Sequence, residues 1–208
     1  MTEAAEAIES VLENWFGKLR GQLDLPKDRQ RLWWSGDTDI DADVRQRFGT
    51  LLEQALDGGL SSWEETARGR LALIILLDQF SRNLGRGTPA AFAGDARAQQ
   101  LCLQGIECGH DEELRLIERC FFYMPLMHAE DGALARRCLD EFEALSEEIA
   151  SSDIEGHPDF LSHAKQHADI VLRFGRYPHR NDILGRQGTE QERAYLTEGG
   201  PSFGQKKS

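Results

Sequence analysis

Leu71-Ala72-Leu73-Ile74-Ile75-Leu76-Leu77 has no polar face, and whether it is helix or strand decides the fold. By periodicity alone, a short apolar run fits a buried strand as well as a buried helix. Two features favour helix: the run continues into Asp78-Gln79-Phe80 without a turn residue, and it holds more leucine than β-branched side chains. A helix that starts near Thr66 and is apolar on every side has to be the central, most buried element of the molecule.

The segments on either side are amphipathic. Before it, Val44, Phe48, Leu51, Leu52 and Ala55 repeat at helical spacing from about Asp41, with Gly58-Gly59 as the stop. Earlier still, Ile8, Val11, Leu12, Trp15, Phe16 and Leu19 make an opening helix that Thr2 can cap. After it, Thr88-Pro89 is a start signal, a cap followed by proline at the first helical position, for a helix to Cys108 that Gly109 ends. Asp111 is expected to cap a helix carrying Leu114, Ile117, Cys120 and Phe121, which Pro125 interrupts. From Asp131 a further helix puts Leu134, Cys138, Phe142, Leu145 and Ile149 on one face, and Ser151-Ser152-Asp153 opens a loop. Pro158 starts a helix with the stripe Leu161, Ala164, Ala168, Val171 and Leu172, ended by Gly175. Thr189-Glu190-Gln191-Glu192 is a capping box for a short last helix through Tyr195 and Leu196. Residues 199–208 read as a flexible tail in which Phe203 could dock back.

No run alternates at strand period between hairpin turns, and no fixed period marks an internal repeat. The fold class is therefore all-α, built of antiparallel helix pairs joined by short loops, in one domain over residues 1–198. A length of 208 residues, with no Pro/Gly/Ser linker, agrees with a single core. The formal charge of -12, from 36 acidic and 24 basic residues, repels phosphate backbones and anionic bilayers, so neither nucleic acid nor membrane is an expected partner. Cys102, Cys108, Cys120 and Cys138 show no C-x-x-C spacing and read as small buried hydrophobes, which leaves no expected zinc knuckle, disulfide or cofactor. The N-terminus is acidic where a signal peptide is basic, and no segment reaches the roughly 18 apolar residues of a span, so the expected location is cytoplasmic. Trp33-Trp34 fits either core or a contact surface, and oligomeric state is not encoded in any motif.

Three segments carry polar residues that a purely structural helix array does not require. Asp78-Gln79-Phe80-Ser81-Arg82-Asn83, then Arg86-Gly87, closes the most apolar helix, where a carboxylate opposes the helix dipole and calls for a partner, arginine first. His128-Ala129-Glu130-Asp131 follows Pro125; capping explains the two carboxylates but not the imidazole. His163 and His167 lie one turn apart on a helix, but Ala164-Lys165-Gln166 between them lacks the glutamate of an H-E-x-x-H metal site. Beyond them stand Phe174-Gly175-Arg176-Tyr177-Pro178-His179-Arg180-Asn181 and Leu184-Gly185-Arg186.

These motifs together, from Trp15-Phe16 to Leu196, resemble the domain-of-unknown-function 924 family. The run from Phe174 through Asp182-Ile183 to Arg186 is the specific part of the likeness, because a stretch of that length and mixture rarely arises by chance. The resemblance implies a bacterial protein with a helical fold like that of right-handed tetratricopeptide-repeat superhelices, and it brings no activity with it. Ser81 stands where the family usually has proline, which implies a less rigid local turn.

For function, the first expectation is a concave site for a small anionic ligand or an acidic peptide end. It would be lined by Asp78, Arg82, Asn83, Arg86, His167, Arg176, His179, Arg180, Asn181 and Arg186, since guanidinium forks hold carboxylate and phosphate in two-point geometry. The second is a hydrolase using His128 or His179 as general base, with Glu130, Asp131 or Asp78 orienting it or holding a metal, although no nucleophile motif accompanies them. The third is an interaction scaffold for a protein partner, in which the same charges form a network locking the C-terminal segment onto the central helix.

Overall fold

The computed structural model describes residues 2–22, 24–152 and 158–204, and among these every regular element is helical. The loop expected at Asp153 and the last four residues of the tail lie outside the described residues. Helix α1 (Glu3–Phe16) starts at Thr2, whose hydroxyl accepts from the Ala5 amide, and ends at Gly17, so Leu19 falls beyond it. The short α2 (Gln30–Trp34) leads into α3 (Thr38–Leu56), which begins ahead of Asp41 because Asp37 caps it, accepting from the Asp39 and Ile40 amides.

Thr66 accepts from the Gly69 amide and opens α4 (Ala67–Ile74), as the sequence predicts. The chain continues without a break through a π-helical segment (Ile75–Phe80) into α5 (Ser81–Leu84). All ten residues from Leu71 to Phe80 are buried, so helix prevails over strand and this element is the centre of the molecule. Ser81 lies within it, 1% exposed, rather than in a turn. Its amide bonds to the Leu76 carbonyl five residues back, the i→i+5 pattern that marks π-bulges, which recur at functional sites.

Several boundaries differ from expectation for identifiable reasons. Thr88 turns its hydroxyl back to the Gly85 carbonyl, so Pro89–Phe92 is only a 3-10 turn and α6 (Asp95–Glu107) starts after Gly94. A side chain at Gly94 would place its Cβ 2.3 Å from the Leu77 carbonyl oxygen. Glycine there lets the start of α6 lie directly on the central helix. Asp111 is no cap: it accepts the Tyr123 hydroxyl at 2.6 Å, and α7 (Leu116–Met127) instead starts at Arg115, whose amide bonds to Glu118. Pro125 sits in the last turns of α7 without ending it, because few backbone bonds remain to be lost there.

Asp131 caps α8 (Gly132–Ala150) through the Ala133 and Leu134 amides, and Asp159, one residue past Pro158, caps α9 (Phe160–Phe174). Leu172 is 44% exposed and leaves the α9 stripe, where Ile170 is buried instead. Gly175 ends α9 in the left-handed conformation, and the predicted capping box opens α10 (Glu190–Thr197). Helices α7, α8 and α9 pack side by side; the tight link between α7 and α8 makes them antiparallel.

Aromatic rings fill the main core: Trp15 meets Phe80 and Phe121 edge-on, with ring centroids 5.6 and 5.5 Å apart. Trp33 joins them and donates to the Trp15 carbonyl, whereas Trp34 is 56% exposed, so the tryptophan pair is divided between core and surface. Cys102, Cys120 and Cys138 are buried, but Cys108, at the end of α6, is exposed. A second, smaller apolar cluster of Ala135, Ala168, Ile170, Val171 and Tyr177 carries the C-terminal segment. Among the described residues no helix is long and apolar enough to cross a membrane.

Candidate functional site

The π-helical segment places Asp78 with no solvent exposure at all. A buried carboxylate has to be paired, and three side chains meet it. Arg82, one turn on, brings Nη1 within 2.9 Å of Oδ1. His128 points Nδ1 at both oxygens, at 2.9 and 3.0 Å, and Gln79 donates to Oδ2 at 2.6 Å. Burial pushes the Asp78 carboxyl up, but the Arg82 charge and these hydrogen bonds outweigh it and hold the group well below the ordinary carboxylate range. The partner expected for this carboxylate is thus an arginine, joined by a histidine.

Asp95 extends the network from the start of α6. Its oxygens lie 2.9 Å from Arg82 Nη2 and 3.0 Å from Arg180 Nη1. The first pair is close but poorly aligned, so neither atom counts a true hydrogen bond. Arg180, 5% exposed, also donates to the His128 carbonyl at 3.0 Å and lies over the rings of Phe92 and Tyr177. Glu130 then ties the C-terminal segment down. It takes two bonds from the Arg186 guanidinium and accepts the Tyr177 amide at 2.7 Å, while Asn181 accepts from Arg186 Nε. Burial pushes Glu130 up; Arg186 and the Tyr177 amide bring it below its usual value.

Three imidazoles collect beside this network. The His128 and His167 ring centroids are 5.8 Å apart, and the His167 and His179 rings each lie 5.5 Å from that of Tyr177. The Tyr177 hydroxyl donates to the Met127 carbonyl, so His167 Nδ1, 3.1 Å away, must be the donor to the tyrosine oxygen. Burial pulls all three histidines down, His167 to about 2 and His179 to about 3, with neighbouring cations adding to the effect. They are neutral at physiological pH. In His128 and His167 Nδ1 is the protonated nitrogen, which leaves Nε2 with its lone pair.

The structure therefore brings together Asp78, Arg82, His128, Glu130, His167, His179, Arg180, Asn181 and Arg186. It takes Asp131 out, because that carboxylate is spent capping α8. It also turns Arg176 outward, onto Glu192 at 2.6 and 2.8 Å and the Gln187 carbonyl. Asn83 is buried, with Nδ2 lacking a hydrogen-bond partner among the described residues. Arg86 pairs with Asp41 of α3 at 3.3 Å, and its Nε is buried without a hydrogen-bond partner among the described residues. The five arginines expected to line an anion site thus meet five carboxylates, Asp41, Asp78, Asp95, Glu130 and Glu192, which neutralise their charge.

One member was not legible in the sequence: Asp95 follows Gly94, and that Gly-Asp step at a helix start was its one signal. Phe203 docks back from the tail, as the sequence allows, and lays its ring on His167 with centroids 3.9 Å apart. Among the described residues no group of three or more His, Cys, Asp or Glu side chains is placed to hold a metal ion.

Fold and site define a class: a single-domain, all-helical protein in which an arginine–carboxylate network fixes a small histidine cluster beside the central helix. The chain belongs to the family described as bacterial protein of unknown function (DUF924), whose model matches residues 11–200. It is similar to the solved structure of a protein of unknown function, ATU0120, from Agrobacterium tumefaciens, at 36% identity and a TM-score of 0.80, covering 95% of this chain and 100% of that one. No curated protein matches it.

Proposed function

We propose that the chain binds a small molecule at the face formed by His128, His167 and His179, with Arg86 at its margin. The observation that carries this reading is the contact of His128 Nδ1 with both Asp78 oxygens. It fixes the tautomer and presents Nε2 as an acceptor, so the ligand offers a hydrogen-bond donor. An anionic group on the same molecule would compete with Asp41 for Arg86, whose Nη1 lies beside the Phe203–Gly204 segment; a Cβ on Gly204 would come within 3.7 Å of it. Arg82, Arg176, Arg180 and Arg186 lie within the ion-pair network and contribute support rather than binding.

A thermal-shift screen with small carboxylates, phosphates and nucleotides tests this on the native chain and on His128→Asn. The asparagine amide can replace Nδ1 against Asp78 but supplies nothing at Nε2. A ligand present at about a hundred times its Kd stabilises the native chain by roughly 2.7 kcal/mol, and the variant should lose that gain while melting as before. Equal stabilisation of both proteins, or silence across the panel, removes the proposal.

The buried Asp78–His128 pair favours one further reading, proton transfer with His128 Nε2 as the base. Because burial lowers the His128 pKa, such a base would stay unprotonated, and its rate undiminished, as pH falls somewhat below the ordinary histidine value of 6.5. A rate that already falls at that value would rule His128 out as the base.

A further inference from the structure

Phe203 is seated in a way that a chance contact of a tail does not require. Its ring is tilted 30° from His167 at 3.9 Å, close to parallel stacking. His179 and Tyr177 meet it more steeply, at 63° and 83°, with centroids 5.3 and 6.1 Å away. A near-parallel floor and two steep walls are complementary to the positive edge and negative face of a planar aromatic ring. The Tyr177 wall and the His167 floor are fixed: the Tyr177 hydroxyl donates to the Met127 carbonyl and receives His167 Nδ1, and the Tyr177 amide is held by Glu130. What fills the space is held far less firmly. Phe203 comes from an irregular segment beyond α10, between Gly199-Gly200 and Gly204, and its φ of +48° is a left-handed conformation that disfavours an aromatic residue.

We infer that His167, Tyr177 and His179 form a box for a planar aromatic ring bearing an N–H or O–H donor, and that Phe203 is an internal occupant which such a ligand displaces. This rests on the reading of the histidine cluster as a ligand site, and it supplies the class of molecule. The donor is called for by the Nε2 lone pair left on His128, which a phenylalanine ring does not use. A ligand that satisfies it gains a bond Phe203 cannot make, which is how an external ring competes with one tethered to the chain. An anionic substituent one residue's length away would reach Arg86, where Gly204 now passes.

The test uses the full chain, its Phe203→Ala and Phe203→Trp variants, and the double variant Phe203→Ala/His167→Ala. The probes are indole, which is planar with an N–H donor, and cyclohexanol, which is neither planar nor aromatic. Binding is read by calorimetric titration after thermal melting has shown each variant folded. Indole is expected to bind Phe203→Ala at least tenfold more tightly than the native chain. Phe203→Trp, with the box refilled, should ignore indole, and the double variant should lose it again. Equal indole affinity in the native chain and Phe203→Ala, no binding to either, or cyclohexanol matching indole overturns the aromatic box. If indole fails on Phe203→Ala while a compound from the ligand screen stabilises the native chain through His128, the box falls and the binding function stands. If both experiments are silent, both fall together.

Discussion

Arg180 is enclosed by groups that depend on it: Asp95 and the His128 carbonyl accept from its guanidinium, and Phe92 and Tyr177 lie against its faces. Removing one partner of a buried pair strands the other charge, so Arg180→Ala should lower stability by about 3–5 kcal/mol in a urea titration. A loss within about 0.5 kcal/mol, the range of surface substitutions, would mean the network is not holding the fold. His167 gives a second prediction, with a defined sign. Its folded pKa, about 2, lies below the ordinary 6.5, so between these values the unfolded chain takes up a proton that the native chain refuses. Its stabilising effect is complete above about pH 6.5 and declines as pH falls, by at most roughly 1.4 kcal/mol per unit. The depressed Asp78 and Glu192 carboxylates add their own loss only at lower pH. His167→Gln should remove at most one proton's share of the slope between about pH 6.5 and 5, leaving the part that the likewise depressed His128 and His179 contribute; an unchanged slope there would show that His167 does not contribute to it.

Helix starts were readable because a cap is a local event. Thr66, Asp131 and the Thr189–Glu192 box each satisfy amides within three residues, and all three hold in the structure. The π-helical turn was not readable, since no residue type selects i→i+5 bonding and the packing of its surroundings decides it. The same holds for Asp95, whose partners Arg82 and Arg180 come from elements far apart in sequence. The arginine for Asp78 could be anticipated from dipole opposition; the histidine at position 128 was visible as a residue without an explanation, but not as that carboxylate's partner. Gly94 connects these elements, and Gly94→Ala offers the sharpest test. With a backbone carbonyl 2.3 Å from the new Cβ, the start of α6 must move off the central helix. The cost should be about 3 kcal/mol. Asp95 would withdraw from Arg82, so Arg180→Ala should cost less in that background than in the native chain. Additive losses would show that Asp95 does not depend on the close approach.

The molecule has two apolar clusters of unequal size. The larger runs from Val11 to Ala164 through α1, α3, the central helix and α6 to α9, while the smaller gathers Ala135, Ala168, Ile170, Val171 and Tyr177. The chain after Gly175 is fastened by that small cluster and by the Asp95 and Glu130 ion pairs. It should open before the rest. Native-state hydrogen exchange is expected to show amides of residues 177–197 exchanging at lower opening free energy than those of α7, with Tyr177 the first to lose protection in Glu130→Ala. One exchange free energy across both regions would instead make the whole chain a single cooperative unit.

The pairing of five arginines with five carboxylates also matters at a distance. Because these ten side chains cancel and the neighbouring imidazoles are neutral, the whole surplus of -12 is carried by the remainder of the chain. The histidine face is then an electrical gap in an otherwise acidic shell. A dissolved molecule bearing a carboxylate is repelled over most of the surface and least opposed there, so the approach route is chosen before any contact is made. Added salt, by weakening the shell, should erase that preference.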